Sequence, residues 1–149
     1  MFLRNSIFQR FQNVSWHSDR HFPQQHSLRH SVLQAVSRGD VEKLEELIGQ
    51  GWPIDEVVDK QGKFTALTLA CHLDNLELVH FLDLLGAELN GARGHQQQSP
   101  LMAATMRWNV RVVDYLIERG ADPTVTDKYG FTARRKAEMK NLKAIHSMM

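Results

Sequence analysis

The chain has 149 residues and a net charge of +1, a length that fits one domain with a short appendage. Its single cysteine, Cys71, excludes an internal disulfide, and no apolar run approaches the roughly 20 residues that a membrane-spanning helix needs. The near-neutral total hides three blocks: +3 over residues 1–30, −7 over 31–127 and +5 over 128–149.

Residues 1–27 stand apart from the rest of the chain. The segment Met1 to Phe11 contains no acid, and Leu3, Ile7, Phe11 and Val14 fall on one helical stripe flanked by Arg4 and Arg10. A basic, amphipathic, acid-poor start is the pattern of a mitochondrial presequence, which would place the protein in the mitochondrion rather than the cytoplasm. A secretory signal fits less well, because Arg4 interrupts the apolar run. The other readings are a tail without fixed structure and an amphipathic segment that docks on a partner or a membrane surface. His17, His21, His26 and His30 concentrate imidazoles here, with His17 and His21 four residues apart. No cysteine or carboxylate set with structural-zinc spacing accompanies them, so neither a metal nor another cofactor is expected.

From residue 28 onward the chain repeats itself about every 33 residues. The first unit runs from Ala35 to Val41 and continues through Leu44, Leu47 and Ile48 to Gly51. In the second, Thr65-Ala66-Leu67 opens a helix, Leu76, Val79, Phe81 and Leu82 set an apolar rhythm of helical period, and Gly86-Ala87-Glu88 closes it. The third repeats this with Ser99-Pro100-Leu101, then Val110, Val113, Leu116 and Ile117, then Gly120-Ala121-Asp122. Thr132-Ala133 starts a fourth. Thr65 and Ser99 suit helix N-caps, where a hydroxyl accepts from unpaired first-turn amides, and Pro100 suits the first helical position. Ala70, Cys71, Ala103, Ala104 and Thr105 are small enough to let neighbouring helices approach closely. Each unit is thus a helix pair ended by a glycine turn, and no unit can bury its apolar face alone.

These residues resemble the ankyrin repeat family, whose signature reads roughly D-x-x-G-x-T-P-L-H-x-A-A, paired aliphatics, then G-A-D. The fullest match is Ser99-Pro100-Leu101-Met102-Ala103-Ala104 with Val112 to Ile117 and Gly120-Ala121-Asp122-Pro123; Asp127, Gly130 and Thr132 open the last unit. The resemblance implies an all-α solenoid of stacked helix-turn-helix units with hairpin-like loops over residues 28–149, the outer two of about four units serving as caps. Arg134 stands where the family has leucine, and Arg135, Lys136, Lys140 and Lys143 come after it, as a wet terminal cap requires. That basic end would attract an acidic partner or polyphosphate, or simply be a solvated cap. The loops before Thr65 and Ser99 are one residue longer than the family's spacing, which suggests hairpins that are looser or differently shaped.

No phosphate loop, nucleophile elbow or zinc-protease helix occurs, which disfavours an enzyme or metal-dependent protein and leaves a noncatalytic binding module or adaptor as the better reading. The family implies a concave face, built from hairpin tips and first helices, that holds a partner protein. Register selects Phe64, His72, Leu73, Met106, Arg107, Trp108, Tyr129 and Phe131 as partner-binding residues. Lys60, Gln61, Lys63, His95, Gln96, Gln97 and Lys128 lie around them. Trp108 occupies the family's glycine position; it either anchors the partner or folds back over its own helix pair. Nucleic acid is not expected, and the chain is expected to be a monomer outside its complex. Trp52, in the turn after the first unit, is expected to cover the cap, and Cys71 to be a packing residue.

Overall fold

The computed structural model describes residues 25–149. The presequence-like stripe, His17, His21 and the side chain of His26 lie outside the described residues. Among the described residues eight helices form four pairs: α1 (Gln25–Arg38) with α2 (Val41–Gly49), α3 (Ala66–His72) with α4 (Leu76–Leu84), α5 (Pro100–Met106) with α6 (Val110–Glu118), and α7 (Ala133–Met139) with α8 (Lys143–Met148). Isolated antiparallel bridges join Val57 to Thr65, Arg93 to Gln98 and Thr126 to Thr132 between them. The first helix begins at Gln25, three residues before the sequence-based boundary at residue 28.

Capping sets the start of the inner helices of the last three units. The hydroxyls of Thr65, Ser99 and Thr132 accept hydrogen bonds from the amides of Thr68, Met102 and Arg135, and the Thr68 hydroxyl accepts from the Thr65 amide to complete a capping box. Gly86 and Gly120 adopt φ of +87° and +88° where the second helices end, a conformation that costs glycine little.

The inner helices α1, α3, α5 and α7 pack in a row, and α4, α6 and α8 form an outer row. Every residue from Ala66 to Cys71 and from Pro100 to Thr105 is buried, so the small side chains do allow close approach. Leu67, Ala70, Val79, Leu82, Leu101, Ala104, Val113 and Leu116 are all inside, as the repeat register requires. One position departs from it: Val110, counted with the apolar rhythm of the third unit, is 44% exposed. It opens α6 on the solvent side, and Val112 takes the inward place instead. Phe81 and Ile117 pack at the edge of the core. Trp52 is buried behind the first unit, and burial pushes the Cys71 thiol up, away from the reactive thiolate. In the last unit Ala133, Ala137 and Ile145 are buried while Arg134 and Arg135 face water.

The long hairpins are tied rather than loose. In the second unit the Asp59 carboxylate gathers the amides of Gln61, Lys63 and Phe64; in the fourth, Asp127 gathers those of Tyr129 and Phe131. Neighbouring tips are joined through the backbone: the His95 amide donates to the Gly62 carbonyl at 2.6 Å and the Lys128 amide to the Gln96 carbonyl at 3.2 Å. Gly94 makes the first join feasible, because a β-carbon there would collide with the Gly62 carbonyl. Three tips therefore form one continuous ridge.

Candidate functional site

Because the inner helices α3 and α5 are buried along their length, exposed side chains gather at their two ends. A seven-residue helix is about 10 Å long, so the two groups lie about that far apart. At the N-terminal end is the hairpin ridge, carrying Lys60, Gln61, Lys63 and Phe64, then His95, Gln96 and Gln97, then Lys128, Tyr129 and Phe131. Tyr129 is 66% exposed with the Lys128 ammonium 4.9 Å from its ring centre. Phe131 is 36% exposed, with the Lys136 ammonium over its ring at 5.7 Å.

At the C-terminal end is a row of inter-helix turns. His72 and Leu73 close α3, Met106 and Arg107 close α5, and Met139 and Lys140 close α7. Gly39, Asp74, Trp108 and Asn141 occupy the same place in successive turns, all with φ between +56° and +69°. Glycine, aspartate and asparagine tolerate that backbone; a bulky aromatic does so at a cost. Trp108 nevertheless sits there and remains 63% exposed, so it does not fold back to cover its helix pair.

The two ends are bridged in the second unit. The Phe64 ring reaches along α3 to the His72 ring, with centres 5.2 Å apart. The Asn109 side-chain amide donates to the Cys71 carbonyl at 2.6 Å, 38 residues away, which sets the third unit's turn beside the second's. Partial burial and then the positive charge of Arg107 in that turn hold the His72 imidazole below its ordinary pKa. Phe64, His72 and Arg107 thus come together, while Tyr129 and Phe131 belong to the ridge of the fourth unit. Sequence reasoning missed Met139, 65% exposed, as a member of the turn row. Met139 stands 33 residues after Met106 and 67 after His72, so the repeat period held the signal.

Polar ties hold the fourth unit and the outer row. The Asp127 carboxylate meets the Lys136 ammonium at 2.6 Å. Burial alone would raise the Asp127 pKa, but the Lys136 bond and the amides of Phe131 and Tyr129 bring it below the usual carboxylate value. On the outer row, the Tyr115 hydroxyl and the Arg119 guanidinium both donate to Asp83 of the preceding unit, at 2.5 and 2.7 Å. Burial and the Asp83 carboxylate push the Tyr115 hydroxyl up to about 12. Among the described residues no three His, Cys, Asp or Glu side chains converge as a metal set, and no helix is long and apolar enough to cross a membrane.

A solenoid of helix pairs, with amide-gathering hairpins on one side and glycine turns behind the outer helices, defines a helical repeat protein whose units stack on one another. The chain belongs to the ankyrin repeat family: the family's pattern of three consecutive ankyrin repeats matches residues 32–137. It is 32% identical over 107 residues to a putative ankyrin repeat-containing protein of Treponema pallidum, covering 72% of this chain and 35% of that one. It is 33% identical over 115 residues to ankyrin repeat and SOCS box protein 11 of Danio rerio, covering 77% and 38%. It is also 32% identical over 98 residues to the palmitoyltransferase AKR1 of Kluyveromyces lactis, covering 65% of this chain but 13% of that enzyme. The chain therefore spans well under half the length of these relatives. Ankyrin repeats are in general noncatalytic protein-interaction modules.

Proposed function

We propose that this chain is a noncatalytic adaptor that holds a partner protein along the turn row and the hairpin ridge, with Trp108 as its principal anchor. The supporting observation is the cost at Trp108: a large aromatic in a left-handed conformation, exposed to water, at a position that the core does not use. Leu73, Met106, Arg107 and Met139 flank it along the row, with Phe64 and His72 linking the row to the ridge. Large aromatics beside Met and Arg have the composition of interface hot spots.

The test is quantitative affinity capture with the full chain, its Trp108→Gly variant and an outer-face control, Glu45→Lys. Proteins retained by the wild type and the control but lost with Trp108→Gly support the reading. A partner set unchanged in Trp108→Gly contradicts it. For the tail, the reading is delivery to mitochondria through residues 1–27, supported by the acid-free stripe and flanking arginines. A fluorescent reporter carrying residues 1–30 should enter mitochondria and lose import when Arg4 and Arg10 become Glu; a reporter that stays in the cytosol rejects it.

A further inference from the structure

The charge of the repeat domain is sorted by layer. The hairpins, inner helices and their C-terminal turns of units two to four, residues 57–73, 91–108 and 125–140, carry nine Lys and Arg against three Asp and Glu. The outer helices with their flanking turns, residues 40–56, 74–90 and 109–124, carry three against thirteen. One layer is +6 and the other −10, a division that crosses the chain every half repeat and that block totals along the sequence conceal. The acids of the inner layer are also engaged: Asp127 is paired with Lys136, Asp59 accepts hairpin amides and Glu138 meets Arg135 and His146. Among the described residues, Lys60, Lys63, Arg107, Lys128 and Lys140 have no carboxylate within salt-bridge distance. Lys60, Lys63 and Lys128 lie on the backbone-tied ridge, whereas Arg107 and Lys140 lie in the turn row beside Trp108 and Met139.

From this sorting we infer that the partner presents an acidic, extended protein segment with large apolar anchors, its carboxylates on the ridge and turn cations and its apolar side chains against Trp108, Leu73 and Tyr129. This rests on the interaction reading above and names the chemistry of what binds. A short segment confined to the face feels the local cations, because screening limits each to about 8–10 Å. A duplex or a flat anionic membrane extends beyond the face, and the parts of it that come within that distance of the acidic outer helices are repelled. The aromatics, separated by a helix length, also offer no run of successive stacking platforms.

The experiment is panning of a displayed library of random 16-residue peptides on the immobilised full-length protein, then fluorescence anisotropy with the enriched peptides. Enriched sequences should be net acidic and carry aromatic or large aliphatic residues, and raising salt from 50 to 500 mM should weaken them at least tenfold. The double variant Lys60→Glu with Lys128→Glu, both exposed and outside the core, should lose at least tenfold in affinity while keeping the wild-type circular dichroism. Enrichment of neutral or basic peptides that still compete at Trp108 would overturn the acidic partner and leave the interaction face standing. Failure to enrich any peptide, or binding unmoved by Trp108→Gly, would overturn both. Tighter binding to polyuridylate or to phosphatidylserine-containing vesicles than to any enriched peptide, lost on charge reversal, would replace the protein segment with that polyanion.

Discussion

Replacing Trp108 by Ala and by Gly removes the same ring, so the difference between the two variants isolates the backbone at position 108. With φ at +64°, an L-residue there costs about 1–2 kcal/mol, which alanine still bears and glycine escapes. Glycine gives back about 0.5–1 kcal/mol through the greater freedom of its unfolded chain. The Gly variant should therefore be more stable than the Ala variant by about 0.5–1 kcal/mol, the reverse of their usual order. Relative to wild type, losing the ring forfeits the third or so of its surface that is covered. At about 25 cal/mol per Å² that is at most about 2 kcal/mol, and relief of the backbone offsets part of it. Trp108→Gly should stay within about 1 kcal/mol of wild type. Urea denaturation monitored by circular dichroism resolves this, since a slope of about 1.5 kcal/mol per M turns the Gly–Ala difference into a midpoint shift of about 0.3–0.7 M. An Ala variant as stable as the Gly variant would refute the strained backbone. A loss above about 3 kcal/mol in both would make Trp108 a core residue and remove the main support for its role in binding.

Leu101, 1% exposed between α3 and α7, should cost about 2–5 kcal/mol as Leu101→Ala in the same assay, and an unchanged midpoint would reject the repeat register. Asp127→Asn should cost about 1.5–3 kcal/mol at pH 7 by weakening a charge-assisted pair with Lys136. Because the folded pKa of Asp127 lies below its unfolded value, its stabilisation is complete above that unfolded value and is lost as pH falls through the folded one. Stability should thus drop less between pH 5 and 3 in Asp127→Asn than in wild type, with the remaining slope coming from Asp83, Asp122 and Glu138, which are depressed too. Arg107→Ala should raise the His72 titration midpoint measured by proton NMR; an unmoved midpoint would separate the two turns.

The repeat architecture was legible because each of its determinants is local and recurs in phase. Thr65, Ser99 and Thr132 mark helix starts, Gly86 and Gly120 mark ends, and the aliphatic pairs between them point inward. The places where reading failed are those where a neighbour in space decides. Val110 fits a helical apolar rhythm, but the start of α6 turns it to solvent. The extra residues in the hairpins left a looser and a different shape both open, and the Gly62, His95, Gln96 and Lys128 backbone bonds that tie the tips link residues of different units. For the candidate site, the positions of Leu73, Arg107 and Trp108 came from register alone. The layer-by-layer charge and the turn row completed by Met139 needed the stack, because they appear only when residues one period apart are set side by side.

The central claim is that recognition uses the turn row and hairpin ridge and leaves the outer helices free. Two-dimensional NMR of isotopically labelled protein titrated with the tightest peptide from panning tests it most directly. The Trp108 indole and the amides of Leu73, Arg107, Lys128 and Tyr129 should shift or broaden, while those of Glu45, Glu77 and Glu118 on the outer helices stay in place. Shifts concentrated on the outer helices, with the Trp108 indole unmoved, would contradict the account.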